Sequence, residues 1–445
     1  MHIELPQKVK FIIDTIQAAG YEAYAVGGCV RDSILGRIPD DWDITTSATP
    51  MQVKALFRRT VDTGIQHGTV TVMLDKEGFE VTTYRIDGKY EDSRHPSEVI
   101  FTPSLEEDLK RRDFTINAMA YNETEGMVDL FGGMEDIRRK RICCVGDAPA
   151  RFSEDALRIM RAVRFSAQLG YTIEEKTAAA IEKLAPTLQK ISAERIQVEL
   201  VKLVTSPNPD FLRQAYRYGV TKVVLPEFDR AMETNQNHPH HCYSVGEHTL
   251  HSMKAVAPDK VLRLAMLFHD LGKPLTVTTD ADGTNHFHGH SQVSRDLAKK
   301  ILQRLKFDND TIRKVTKLVE HHDYGNGVNP TDTIVRRAVN KIGDELFPLF
   351  LQVRQADMDA QSDYMRREKQ ENLTAWKQTY EAICRRADCV SLKTLAVTGN
   401  DLLAAGMQPG KEIGETLNRL LDIVLEHPEK NTKESLLFIL KESLS

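Results

Sequence analysis

The six cysteines of this 445-residue chain (Cys29, Cys143, Cys144, Cys242, Cys384 and Cys389) include no CxxC pair, which argues against both a thiolate zinc site and a disulfide framework. No apolar run approaches the roughly 18 residues of a membrane helix. The first five residues open into an amphipathic pattern without a signal-type apolar region, so a cytoplasmic location with reduced thiols and no membrane partner is expected. Positive charge is not in excess either. A net charge of −5 gives no bulk attraction to nucleic acid or anionic lipid, and any polyanion must be met by a local patch. Repeats and low-complexity tracts are missing. With 41% apolar and 28% charged residues the composition is that of a globular protein, and the length suggests about three domains.

What the chain does have is concentrated. Of its 15 histidines, 11 lie between His238 and His322, a clustering that asks for a chemical reason. Residues 141–230 hold 14 Lys and Arg against 11 Asp and Glu, a local surplus of +3 that suits either a polyanion face or a solvated helical surface.

Periodicity predicts a helix over 12–19, a strand over 23–26, a turn at Gly27-Gly28, a helix over 30–36 and a strand over 42–45. Residues 70–74 and 79–84 read as a hairpin around Lys76-Glu77-Gly78, with the glycine at positive φ. Beyond Pro149 the pattern becomes wholly helical, over 155–169, 174–184, 193–204 and 210–218. The expected fold class is α+β: a head over 1–140 with a small mixed sheet, a helical neck and body over 141–232, an all-α domain over 233–365 and a helical tail over 366–445. Linkers are expected at 147–149, 207–209 and 233–241.

Glycines between a strand and a helix let backbone N–H groups approach phosphate oxygens, although a Gly-Gly turn is also a common structural bend. Asp41-Trp42-Asp43 follows, and alternate residues of a strand share a side, so Asp41 and Asp43 would present two carboxylates on one face. Such a pair beside a phosphate-binding turn is what Mg²⁺ ions need to bridge a nucleoside triphosphate and an attacking hydroxyl. The alternative is an acidic strand end, since Asp40 also stands there. Glu80, in the hairpin, is the candidate third carboxylate.

The run 26–46, VGGCVRDSILGRIPDDWDITT, resembles the signature of the class II tRNA nucleotidyltransferase (CCA-adding enzyme) and bacterial poly(A) polymerase family. Trp42 is bulkier than the aliphatic residue expected between the aspartates. Further along, Arg111-Arg112-Asp113 with Asn117 is similar to the family's ribose-binding motif, and Asp129 to Gly133 with Asp136 to its hinge between head and neck. Glu154-Asp155-Ala-Leu-Arg158 is similar to its base-reading motif, and Ala193-Glu194-Arg195 with Glu199 to its last motif helix. The resemblance spans about residues 20 to 230 and implies tRNA, CTP and ATP as partners and Mg²⁺ as cofactor. It implies nucleotide contacts from Gly27, Gly28, Arg31, Arg111, Arg112, Asp113, Asn117, Asp155 and Arg158, to which Arg161 and Arg164 on the same predicted helix are added. Asp155 and Arg158, at i and i+3, are expected to share a helix face, the alternative being a surface ion pair. As base readers, a carboxylate and a guanidinium match the donor-acceptor order shared by cytosine and adenine and reversed in uracil and guanine. Residues 87–104, with Arg94-His95-Pro96, read as a mobile loop, which relatives use to switch to adenosine. A-only addition and poly(A) synthesis stay open.

In the histidine window, His248, His269-Asp270 and Asp357 resemble the ligand set of an HD-superfamily phosphohydrolase, with Asp359 a competitor for the last place. The resemblance implies a divalent transition metal such as Mn²⁺, Ni²⁺ or Co²⁺, with Lys273 available to phosphate charge. His290 and His321 are the candidates for a second metal or a phosphate contact. His251, His286, His288 and His322 read as structural, and His238, His240 and His241 as linker residues. An HD hydrolase with a nucleotide-sensing head, and a non-catalytic tRNA-binding module, remain as readings of other classes.

Overall fold

The computed structural model describes residues 2–87 and 99–444, which fall into two compact units, Met1–Pro226 and Glu227–Ser445. The Arg94-His95-Pro96 segment lies outside the described residues.

The first unit is built on a seven-stranded mixed sheet. Its strands are β1 (Ala23–Val26), β2 (Ile44–Thr46), β3 (Thr60–Gly64), β4 (Thr69–Leu74) and β5 (Glu77–Thr83). A separate antiparallel pair, β6 (Arg85–Asp87) and β7 (Val99–Phe101), comes next, and β8 (Met119–Asn122) and β9 (Gly126–Asp129) complete the sheet. The order is β3-β4-β5-β2-β1-β8-β9, and only β2 and β5 run parallel. All four residues of β1 are buried, as a central strand requires. The helix Gln7–Ala18 buries Val9, Ile12, Ile13 and Ile16, an i, i+3, i+4, i+7 stripe.

Several local expectations change. β2 begins only at Ile44, so Asp41 and Asp43 precede the strand. The cause is its partner: β1 ends at Val26, because Gly27 turns away at φ +84°. A backbone bond from Val26 N–H to the Asp43 carbonyl (3.0 Å) still keeps the segment in line, and exposure alternates, with Asp41 and Asp43 exposed and Trp42 half-buried. The hairpin turns at Asp75-Lys76, both at positive φ, with Leu74 opposite Glu77; two-residue hairpin loops of the primed kind ask for this. Gly78 sits inside β5, where a Cβ would come within 2.8 Å of Thr71 Cγ2, so close packing selects glycine there.

Beyond the sheet the helices include Ala148–Glu154, Leu157–Leu169, Glu175–Leu184, Ala193–Val204 and Leu212–Arg217, the last preceded by the 3₁₀ turn Pro209–Phe211. Asp155 falls in the break between the first two, with extended φ and ψ, so it does not share a helix face with Arg158. The region is also not wholly helical: Arg141–Ile142 and Thr172–Ile173 form a short parallel ladder.

The second unit is helical apart from one small antiparallel pair, Thr278–Thr279 with Asn285–His286. The helices Val245–Ala255, Lys260–Phe268 and Phe347–Asp359 pack together, and Lys260–Phe268 also packs on Asn309–His321. Towards the end of the chain, Leu402, Leu420, Val424 and Leu436 form a core of their own. Among the described residues, no helix is long and apolar enough to cross a membrane.

Candidate functional sites

In the first unit the glycine turn, the aspartates and the hairpin meet at one end of β1 and β2. Gly27 donates its N–H to the Met119 carbonyl (3.1 Å), so that group belongs to the sheet. Its positive φ, and the Arg112 Nη1 that would lie 3.1 Å from a Cβ, are what require glycine. β2 and β5 pair in parallel with Ile44 opposite Val81, so one residue earlier Asp43 neighbours Glu80. Asp43 is raised above the usual carboxylate range by burial and by Asp41, against the pull of Arg112. Glu80 is raised by burial and by the charges of Asp43 and Asp41. None of the three enters an ion pair among the described residues. Three gathered carboxylates that lack their own cation suit a hard divalent ion such as Mg²⁺, although their oxygens do not converge within the spacing found in the second unit.

From the turn, a polar network runs into the helical part of the unit. Arg31, buried, donates to Asp32 (3.0 and 2.8 Å) and to Asn117 Oδ1 (2.6 Å), and Asn117 in turn donates to Asp113 (3.1 Å). Arg161 Nε donates to the other Asp113 oxygen at 2.7 Å, and Arg164 Nε to Glu199 at 2.9 Å with its guanidinium stacked 3.5 Å over Phe165. Burial alone would raise Asp113, but Arg161 and Asn117 bring it down to about 2. A depressed carboxylate stabilises the fold above its unfolded pKa and loses that contribution as pH falls through its folded value. Between pH ~4 and ~2 the protein should therefore lose roughly 2 kcal/mol that Asp113→Asn does not lose, measured by urea denaturation across pH.

Arg111 and Arg112 are both held by Asp108, fully buried, at 2.7 and 3.4 Å. No motif pointed to Asp108; its signal was only the i−3 and i−4 spacing from two arginines. Asp155 does not pair with Arg158. It receives both Arg195 nitrogens (3.3 and 2.7 Å) and the Leu157 N–H (3.0 Å). A carboxylate accepts about four hydrogen bonds, so about one site on Asp155 stays open. Arg158 pairs with Glu154 (2.6 Å) and donates to the Arg111 carbonyl (2.9 Å). Glu199 is 4% exposed, and Glu199→Ala would strand Arg164 without its partner, so we expect a loss of about 3–5 kcal/mol in denaturant-monitored stability.

In the second unit, two groups of ligand atoms lie within 4.8 Å of one another: His248, His269, Asp270 and Asp357, and Asp270, His290 and His322. His248 Nε2 is 2.9 Å from Asp357 and 3.2 Å from His269 Nε2; His290 and His322 face each other at 3.2 Å. Asp270 joins the groups, 3.5 Å from His248 and 3.4 Å from His290, with Lys273 Nζ at 2.7 Å. Each imidazole turns its other nitrogen to a backbone carbonyl, of Ala360, Met266, Phe287 and Val319 respectively for His248, His269, His290 and His322. If every Nδ1 carries the proton there, four Nε2 lone pairs converge on one another and on carboxylates, an arrangement that a divalent transition metal satisfies. Neither oxygen of Asp270, though buried, accepts a hydrogen bond of good geometry. Burial opposes a charge on His269, yet Asp270 and Asp357 push it up to about 10.

The structure corrects one histidine. His321 lies outside both groups, beside Tyr324, and burial lowers it to about 4. His322 takes the place instead. Val315, Leu318 and Val319 are buried, and His322 continues their stripe at i+7, i+4 and i+3, a helical phase that could have separated the two neighbours. His241 is also no mere linker residue: its ring meets that of His248 at 5.4 Å, and it lines the cavity at the cluster. Asp357 is in the group and buried, whereas Asp359 is bonded to Gln355.

A mixed sheet with a glycine turn and gathered carboxylates at the end of its central strands, followed by a helical arm, defines a nucleotidyltransferase. A family model described as the poly A polymerase head domain matches residues 23–143. Others, described as "Probable RNA and SrmB-binding site of polymerase A" and as tRNA nucleotidyltransferase domain 2, match 170–232 and 277–440. The chain is 36% identical to a CCA-adding enzyme of Levilactobacillus brevis over 96% of its length and 95% of that protein's. It is likewise 36% identical to one of Enterococcus faecalis over 98% and 95%. Among solved structures it is similar to the Bacillus stearothermophilus CCA-adding enzyme in complex with CTP, with a TM-score of 0.72, 30% identity and coverage of 98% and 97%. The chain belongs to the class II tRNA nucleotidyltransferase (CCA-adding enzyme) and poly(A) polymerase family.

Proposed function

We propose that this protein adds C, C and A to the 3′ end of tRNA from CTP and ATP, without a nucleic-acid template. The observation that carries this is the parallel register of β2 and β5, which gathers Asp43 and Glu80 next to Asp41 and the Gly27 turn. Asp41 and Asp43 would hold Mg²⁺, with Glu80 as a third carboxylate. When bound, Mg²⁺ supplies charge balance at the α-phosphate and the departing pyrophosphate and eases ionisation of the tRNA 3′-hydroxyl. Gly28 and Arg31 receive the triphosphate, at the turn that Gly27 makes. Arg111, Arg112, Asp113 and Asn117 border the ribose, braced by Asp108 and Arg161. The open acceptor on Asp155 takes the exocyclic amine of C or A while Arg158 donates to the adjacent ring nitrogen, their order braced by Arg195 and Glu154. Arg161 and Arg164 steady that face through Asp113 and Glu199. Helices of the 141–232 region meet the tRNA by shape and phosphate contact.

Labelled triphosphates supplied singly with a tRNA lacking its 3′ end test this. CTP should be incorporated, and UTP rejected by at least about 5- to 150-fold, the scale of one unsatisfied buried group at about 1–3 kcal/mol. Asp155→Ala should erase the discrimination; a variant that still rejects UTP contradicts the base-reading role.

The histidine cluster favours a second activity: a metal-dependent phosphohydrolase in an HD-type domain over 233–365, followed by the helical tail 366–445. His248, His269, Asp270 and Asp357 would hold Mn²⁺, Ni²⁺ or Co²⁺, and Asp270, His290 and His322 a second ion. Such a metal, when bound, supplies a water of lowered pKa to a phosphate ester. Lys273, beside Asp270, offers a charge to the phosphate. No nucleotide extension, together with Mn²⁺-dependent phosphatase activity, would instead favour the hydrolase with a nucleotide-sensing head.

A further inference from the structure

Next to the histidine cluster lies a second cavity, of about 390 Å³, which shares His241, Asn326, Asp357 and Gln361 with the cavity that contains Asp270, Lys273 and His290. Two cations line the second cavity, Arg354 and Lys369, and neither meets a carboxylate within 4.0 Å among the described residues. Arg354 is only 6% exposed. Its Nε and Nη2 donate to neutral oxygens, Asn326 Oδ1 at 3.2 and 2.9 Å and Asn372 Oδ1 at 3.3 Å, and its Nη1 is buried with no hydrogen-bond partner. Lys369 Nζ likewise donates to a neutral oxygen, Gln361 Oε1, at 2.8 Å. Burial depresses both, Arg354 to about 10.

Asp357 and Asp323 favour the charge on Arg354 from beyond 4.0 Å, and Asp357 that on Lys369, but a buried guanidinium with an unmatched N–H and no carboxylate in contact is still costly for the fold to keep. The stacking of Arg354 5.2 Å from the Trp376 ring accounts for its stem and plane, but leaves Nη1 unmatched. The positive charge that Arg354 and Lys369 bring to the cavity they line would attract an anion brought by a ligand. Met358, Met365 and Leu373 line the same cavity, an apolar and polarizable surface suited to the flat face of a base.

We propose that this cavity is an anion subsite for the ligand of the histidine cluster: a nucleotide whose second phosphate is received by Arg354 and Lys369 while the first meets the cluster. The proposal rests on the phosphohydrolase activity proposed above and names its substrate class. An RNA 3′ end carrying a terminal phosphate and a free nucleoside bisphosphate share this chemistry, the RNA supplying its second phosphate from the preceding linkage.

The test uses the full chain and the probes adenosine 3′,5′-bisphosphate and adenosine 5′-monophosphate. Binding is read by calorimetry on chelator-treated protein, and by competition against p-nitrophenyl phosphate hydrolysis on Mn²⁺-loaded protein. The bisphosphate should bind at least about tenfold tighter, the scale of one charge-assisted hydrogen bond. Lys369→Gln, on a half-buried side chain, should cut that advantage to about twofold, the residue of one lost contact; Arg354→Gln should do the same where circular dichroism shows it folded. An equal advantage in the parent and Lys369→Gln overturns the subsite. No Mn²⁺-dependent hydrolysis, with the calorimetric difference intact, overturns the phosphohydrolase instead and leaves an anion site. A hexanucleotide ending in 3′-phosphate separates the sources: sensitivity to Lys369→Gln seen only with the RNA assigns the site to RNA ends, and only with the bisphosphate to free nucleotides.

Discussion

Asp43→Ala should lower nucleotide incorporation by roughly 10³-fold or more, equivalent to about 4 kcal/mol of lost transition-state stabilisation. The expectation follows from where the charge sits. Asp43 stands beside Asp41 and Glu80 with the field of Arg112 opposing its charge, and its proposed role is to complete a site for a cation. The fold should not suffer, because removal of this carboxylate relieves its desolvation and the repulsion from Asp41. Thermal melting should hold or rise slightly while incorporation of labelled CTP into tRNA collapses. Incorporation within tenfold of the parent would show that the carboxylate is dispensable.

Asp270→Ala should abolish metal retention in the second unit and lower any phosphatase activity by roughly 10³-fold, since one carboxylate serves both ligand groups. It also leaves Lys273, 5% exposed, without its partner, which costs about 3–5 kcal/mol, so a fold control is needed. His322→Ala supplies it: it removes a ligand of the second group only and should halve the metal measured by mass spectrometry without stranding a charge. Both variants should retain tRNA extension, because no head residue is altered. Undiminished Mn²⁺ content in Asp270→Ala would contradict the cluster as a metal site.

The legible parts of the molecule were those that local physics decides. The strand Ala23–Val26 and the helix Ala193–Val204 stand where their apolar periods put them, and the carboxylates of Asp41 and Asp43 keep a common exposure through alternation along an extended segment. What local pattern misses depends on partners. β2 starts late because β1 ends at Gly27, and the adjacency of Glu80 to Asp43 comes from a parallel register between strands separated by some 35 residues of sequence, which no short-range signal encodes. Asp155 leaves its expected helix because its carboxylate caps the following turn through Leu157 and meets Arg195, forty positions away. At the cluster, His248, His269-Asp270 and Asp357 were named by their resemblance to a known ligand set, but two adjacent histidines could be told apart only by helical phase. Arg354 carried no signal at all: an arginine in an apolar helix reads as a surface residue until its burial is seen.

Template-free synthesis of one defined trinucleotide is tested most directly by the length of the product. Purified protein, Mg²⁺, all four triphosphates and a tRNA lacking its 3′ end should give a single product three nucleotides longer that ends in A, resolved on a sequencing gel. An open-ended ladder of A would instead make the protein a poly(A) polymerase, and an unextended tRNA would contradict the account of the head.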